Sequence, residues 1–223
     1  MRRALLTDCV AAALLAALVL TSVGVAHDGG TYYVQRWKST ERDQNYGFAS
    51  DVGANFKDRV ENAAQEWNGL SGNMQFHRGG VNVTWSYGDS DCHAAGSNSI
   101  HIGSIDGATT ASNPSTLATT TTCVYSSDST KIWSFRTKFD SAENWYTGTG
   151  SPGSSQFDAQ SVATHELGHA TGFGRGSAPD HWDPSNSVCT DSPKHTMCPV
   201  TPSGTTFERS LEEHDRHTFN NVY

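Results

Sequence analysis

Gln160-Ser161-Val162-Ala163-Thr164-His165-Glu166-Leu167-Gly168-His169 is the stretch on which the reading of this chain turns, and its last five residues spell H-E-x-x-H. Residues four apart on a helix lie on one face, about one turn apart. His165 and His169 can therefore direct imidazole nitrogens at one metal ion, and Glu166 beside them can take a proton from a metal-bound water. The surroundings suit a helix. Phe157 to Thr164 contains no breaker. Val162, Glu166, His169 and Phe173 form one stripe, and Ala163, Leu167 and Ala170 another, which predicts burial on more than one side. Gly172, three residues after the second His, is placed to stop the helix.

Working outward, the chain begins Met1-Arg2-Arg3, runs apolar from Val10 to Leu20 and reaches Gly24-Val25-Ala26. A basic start, a short apolar stretch and a small-x-small end predict a secretory signal peptide, residues 1–26, with the exported chain starting near His27. The run is short and alanine-rich for a transmembrane anchor, so no membrane association is expected once the leader is removed. The formal net charge is -8 and Lys and Arg are scattered, which argues against a nucleic-acid partner. Cys9 belongs to the leader. The other four cysteines, Cys92, Cys123, Cys189 and Cys198, predict two disulfides in an exported chain. Three pairings are open, of which the local pairs Cys92–Cys123 and Cys189–Cys198 are favoured. No C-x-x-C spacing supports a cysteine metal site.

The remaining chain is long enough for one domain with a substantial core, and a monomer is expected. Residues 31–37 read as a first strand. Phe56, Val60, Ala63, Ala64 and Trp67 recur at helical spacing up to Gly69. Residues 81–88 alternate as a half-buried strand, Ile100 and Ile102 mark another, and residues 133–140 a further one. Residues 109–122, rich in Ser, Thr and Asn, read as a long surface loop. A Gly/Ser/Pro stretch from Gly148 to Ser155 leads into the H-E-x-x-H helix. Residues 210–220 read as a short C-terminal helix. Together these elements imply an α+β domain divided by a cleft beside the metal. Asn82-Val83-Thr84 is a glycosylation sequon whose place in a strand favours chance.

A catalytic zinc normally takes three protein ligands and a water. The longer pattern H-E-x-x-H-x-x-G-x-x-H would place the third His three residues after Gly172, where this chain has Arg175. A guanidinium has no lone pair to give, so Arg175 is not a ligand. The nearest donors are His181, preferred because neutral imidazole is a usual zinc ligand, and Asp180. Farther on, His195-Thr196-Met197-Cys198-Pro199 offers a methionine turn, with Met197 as its apolar floor.

With these motifs, which cover roughly residues 155–200, the chain resembles the metzincin zinc endopeptidases, and among them the matrixin-like secreted bacterial enzymes. Both Met197-Cys198-Pro199 and the run from Gln160 to His169 are similar to the matrixin forms. The resemblance implies a twisted mixed β-sheet with an active-site helix and a short C-terminal subdomain. The catalytic domain would span 27–223, its N-terminal subdomain about 27–173 and its C-terminal one about 174–223. It implies zinc on His165, His169 and His181, Glu166 as general base, and extended peptide or protein substrates along the edge strand. A calcium ion or second structural zinc near Asp89 and Asp91 would fit the resemblance, but no spacing there is specific to either. No cysteine-switch propeptide lies between leader and first strand. Two rivals stand beside this reading. In one, a downstream acid (Glu208, Glu212 or Glu213) replaces the third His. In the other, the chain is a catalytically degenerate peptide- or protein-binding module, an idea supported by Arg175 alone.

Overall fold

Two tryptophans show how the sequence settles its core. Trp37 donates its indole N–H to the Ala170 carbonyl at 2.9 Å, and Trp67 donates to the Thr164 carbonyl at 2.9 Å. Both rings are buried, so each satisfies its one polar atom while filling the space around a single central helix. The computed structural model describes residues 32–82, 98–107, 116–176, 179, 181–182, 189 and 195–223. The expected leader, Cys92, Asp89, Asp91 and Asp180 lie outside the described residues.

A six-stranded sheet holds β1 (Arg36–Trp37), β2 (Asp43–Phe48), β3 (Gln75–Asn82), β4 (Asn98–Gly103), β5 (Ala118–Tyr125) and β6 (Asp128–Asp140). Its order is β1-β6-β4-β2-β3, with β5 also on β6. Strand β6 pairs in parallel with β1 through Lys131 and Ile132 and with β4 through Arg136 to Asp140, while β5 runs antiparallel along its other side. Among the described residues strand β5 therefore carries one free edge of a mixed sheet. A short parallel pair, β7 (Trp145–Tyr146) and β8 (Phe157–Asp158), stands apart.

Helix α1 (Ala54–Asn68) buries Phe56, Val60, Ala63, Ala64 and Trp67, the stripe read from its spacing, and packs against helix α2 (Ala159–Thr171). Of the residues in α2, Gln160 alone is not fully buried. Asp158 caps the N-terminus by accepting from the Ser161 N–H at 2.8 Å. Gly172 closes the C-terminus at φ 106. A Cβ at Gly172 would stand 2.2 Å from the Gln35 carbonyl oxygen, so both the dihedral and the close approach demand glycine. The last helix, α3 (Glu213–Asn220), presses Phe219 against Trp67, ring centroids 5.4 Å apart. The result is an α+β domain, a mixed sheet with helices.

Several boundaries differ from the sequence reading. The first strand contracts to Arg36–Trp37, and Tyr33 instead forms an isolated bridge with Arg175. Strand β2 goes beyond the sequence reading: Asp43 and Asn45 are exposed while Gln44 and Tyr46 are buried, so its inward face begins with a polar residue and no apolar alternation marks it. The strand expected over 81–88 begins at Gln75 instead, and its part beyond Asn82 falls outside the described residues. The largest correction concerns the loop expected over 109–122. From Ala118 onward it is strand β5, with Ala118 and Thr120 buried and Thr119 and Thr121 exposed. Threonine is polar, but its branched Cβ favours the pleated backbone. The last helix starts at Glu213, after the expected Ser210, where Glu212 and Asp215 form a capping box.

Candidate metal centre

Helix α2 sets two imidazoles side by side, and their outer nitrogens decide what they can do. His165 Nδ1 lies 2.6 Å from the Thr196 carbonyl oxygen, and His169 Nδ1 lies 2.9 Å from that of Phe173. A carbonyl only accepts, so both Nδ1 atoms carry the proton and both Nε2 atoms keep a lone pair. Those two Nε2 atoms are 3.2 Å apart, which in this tautomer is no hydrogen bond. Two ligands about 2.0–2.1 Å from a tetrahedral zinc would be about 3.3 Å apart, so the spacing suits a shared ion. His181 completes the triangle, its ring centroid 5.1 Å from each of the other two. Ligand atoms of His165, His169 and His181 all lie within 4.8 Å of one another, and together they can hold a metal ion. Three imidazole nitrogen donors, two of them on backbone-anchored rings, are a donor set that fits zinc.

None of Glu208, Glu212 and Glu213 belongs to this group. Glu208 accepts from the Thr201 hydroxyl at 2.6 Å, and Glu212 caps α3. Arg175 has no lone pair to offer a metal, and its guanidinium donates to the Thr120 carbonyl on β5.

Glu166 is buried beside the imidazoles, and its Oε2 accepts from the Thr120 hydroxyl at 2.6 Å. Thr120 Oγ1 also lies 2.8 Å from Thr137 Oγ1, so strand β5 and its neighbour β6 brace the carboxylate. Burial raises the Glu166 pKa to about 7, opposed by the Thr120 hydroxyl and the positive charge of Arg175. Burial depresses His165 to about 3, with the charges of His181 and Arg175 acting the same way and the Thr196 carbonyl opposing. His169 is held well below its usual value, first by burial and then by His165 and Arg175. Buried imidazoles beside a carboxyl that burial makes more basic suit proton transfer around a bound cation.

Beneath the rings runs the methionine turn. The Cys198 N–H reaches the His195 carbonyl at 3.1 Å, and the Trp182 N–H reaches the Met197 carbonyl at 3.0 Å, tying the residue after His181 to the turn. Met197 is fully buried. A Cβ on Gly168 would come 2.2 Å from its sulfur, so the one glycine within α2 leaves room for this floor. Asp215 of α3 organises the turn from below. Its carboxylate accepts from the Trp182 indole at 2.8 Å and the Thr196 N–H at 2.9 Å. Burial raises its pKa, against those same hydrogen bonds. The Cys189–Cys198 disulfide anchors the far side of the turn. Cys123 is also disulfide-bonded, while its expected partner Cys92 is not among the described residues.

An open groove of about 370 Å³ runs past these groups, between Leu117 and Ala118 at the start of β5 and Pro199, Val200 and Thr201 after the turn. Val162, His165, Glu166 and His181 form its floor. The sequence reading missed Thr120 and Asp215. Neither has a local signal: Thr120 sits in a Thr-rich run and Asp215 looks like a solvated helix acid, and each acquires its role only when distant elements meet.

A protein-family model described as Matrixin matches residues 52–182, more than half of the chain, from the approach to α1 through α2 to Trp182. No curated protein matches the chain.

Proposed function

This chain belongs to the matrixin family, and from that premise we propose that it is a secreted zinc endopeptidase acting on peptide or protein substrates. The observation that carries the reading is the convergence of His165, His169 and His181 with Glu166 on one open groove. We read residues 1–26 as a leader removed on export and 27–223 as the catalytic domain, its subdomains meeting near residue 173. Among the described residues no helix is long and apolar enough to cross a membrane.

His165, His169 and His181 would hold the zinc ion, which when bound supplies Lewis acidity to the attacking water and the scissile carbonyl. Thr120 fixes one carboxylate oxygen of Glu166. The other oxygen is left to accept a proton from the water and pass it to the leaving amine. The carbonyls of Thr196 and Phe173 keep His165 and His169 in the tautomer that presents Nε2. Leu117 and Val200 on the walls and Val162 on the floor give the groove an apolar lining for a substrate side chain.

The binding-module rival rests on Arg175, and the contact of that guanidinium with the Thr120 carbonyl gives it a place that does not require loss of catalysis. The test is zinc content and casein cleavage in wild type, His181→Ala and Glu166→Ala. About one zinc per chain with chelator-sensitive cleavage is expected in wild type. His181→Ala should lose both, and Glu166→Ala should keep zinc while losing turnover by a factor on the order of 10³. Cleavage undiminished in Glu166→Ala, or no zinc and no cleavage in wild type, would sink the reading.

A further inference from the structure

The edge of β5 that no described strand covers is not equally open along its length. The Asp140 N–H donates to the Leu117 carbonyl at 2.8 Å, which fixes Leu117 and Asp140 as a hydrogen-bonded pair. Ladder bonds in an antiparallel pair fall on every second residue. With Ala118 opposite Phe139 and Thr120 opposite Thr137, Thr119 and Thr121 bond to β6. The backbone groups of Ala118 and Thr120 therefore face the outer edge, where an added peptide strand would pair.

At Ala118 that edge gives onto the groove, which is lined there by Thr116, Leu117 and Ala118. At Thr120 the Arg175 guanidinium already takes the carbonyl. Beyond it, the Thr122 hydroxyl donates to the Gln35 side chain at 3.2 Å, and Tyr125 donates to the Glu41 carboxylate at 2.8 Å. Arg175 is itself held in place by its bridge to Tyr33 and by flanking glycines at positive φ, Gly174 (66) and Gly176 (74).

We propose that Arg175 makes substrate recognition one-sided: a peptide pairs with β5 at Ala118, whereas Arg175 closes the edge at Thr120. Substrate residues on one side of the scissile bond then contribute to binding and those on the other contribute little. The residue standing where the longer motif has a histidine becomes a specificity-determining group. The inference rests on the peptidase reading above.

The test begins with the purified zinc-loaded protein and the oxidised insulin B chain, whose cleavage sites are identified by mass spectrometry. Synthetic peptides centred on the main cleaved bond are then lengthened from one to four residues on each side separately. Because two backbone hydrogen bonds are gained on one side only, kcat/KM should rise about tenfold with length on that side and change less than about twofold on the other. In Arg175→Ala the silent side should become length-dependent, by about threefold, as the Thr120 carbonyl is released. Equal gains on both sides in wild type would overturn the proposal, as would a silent side unchanged in a folded Arg175→Ala. Should that variant fail to fold, the wild-type series alone decides. Absence of any cleavage of insulin or casein would instead refute the peptidase reading.

Discussion

At the scale of single residues, the site depends on one hydroxyl as well as on its ligands. Thr120 donates to Glu166 at 2.6 Å from a strand, so the general base is held by something other than its own helix. Thr120→Val keeps the shape and removes the donor. A drop of about tenfold in kcat is expected, with KM and zinc content near wild type, because a hydrogen bond to a charged group contributes about 1.5–3 kcal/mol, part of it retained through the buried surroundings. Thr120→Ser should restore most of the rate. Equal rates for Thr120→Val and wild type would remove Thr120 from the mechanism. His165, Glu166 and His169 were legible because their relation is a helical spacing, a property of six consecutive peptide units or fewer. His181 was legible only by elimination, since Arg175 has no lone pair. Thr120 was not legible at all: its meaning depends on strand β5 lying across α2, a contact between residues 46 positions apart.

At the scale of elements, helix α2 is held at its N-terminus by a buried ion pair. Asp158 caps the helix and meets Arg209 at 2.6 Å, and its side chain is fully buried. The same guanidinium gathers the carbonyls of Gly148, Thr149 and Gly150. Arg209→Met would leave a buried carboxylate without its cation, a change that typically costs about 3–5 kcal/mol. Urea unfolding should show that loss, and adding Asp158→Asn should recover part of it; a variant as stable as wild type would deny the pair its role. At the end of β6, Asp140 performs a similar service for loops. Burial alone would raise its carboxyl, but hydrogen bonds from the N–H groups of Ala142, Asp106, Gly107 and Ile105 outweigh that and hold it below 3.8. A carboxylate depressed in the folded state adds stability above the unfolded-state pKa, and that stability is lost as pH falls through the folded value. Wild type should therefore lose stability more steeply than Asp140→Asn as pH is lowered from about 5 towards 3. Parallel urea midpoints in the two proteins across that range would contradict this. The helices were readable because their apolar stripes are strong, whereas β2 and β5 were not. The first is central and lacks apolar alternation, and the second spells its inward face in Ala and Thr, residues that composition assigns to loops.

At the scale of the whole molecule, the three imidazoles come from two parts of the chain that a bound ion would join. His165 and His169 stand on α2. His181 precedes Trp182, which is tied to the methionine turn and, through Asp215, to the last helix. The two Nε2 lone pairs lie 3.2 Å apart in a buried setting, and a zinc ion would accept both. Zinc should consequently stabilise the fold and not merely activate it. At a free concentration a thousand times its dissociation constant, a ligand specific to the native state adds about 4 kcal/mol. For a chain of this size that is a rise in Tm of about 10 °C. Thermal unfolding followed in chelator, and again after zinc is restored, should show this rise in wild type. His181→Ala should show a much smaller one, since two imidazoles bind far more weakly than three. Magnesium, which prefers oxygen ligands, should give none. A wild-type Tm indifferent to zinc would mean that the three rings do not form one site in solution. A shift of equal size in His181→Ala would mean that the ion is held by His165 and His169 with a different third partner, leaving the stabilisation intact but moving the join between the two parts of the chain elsewhere.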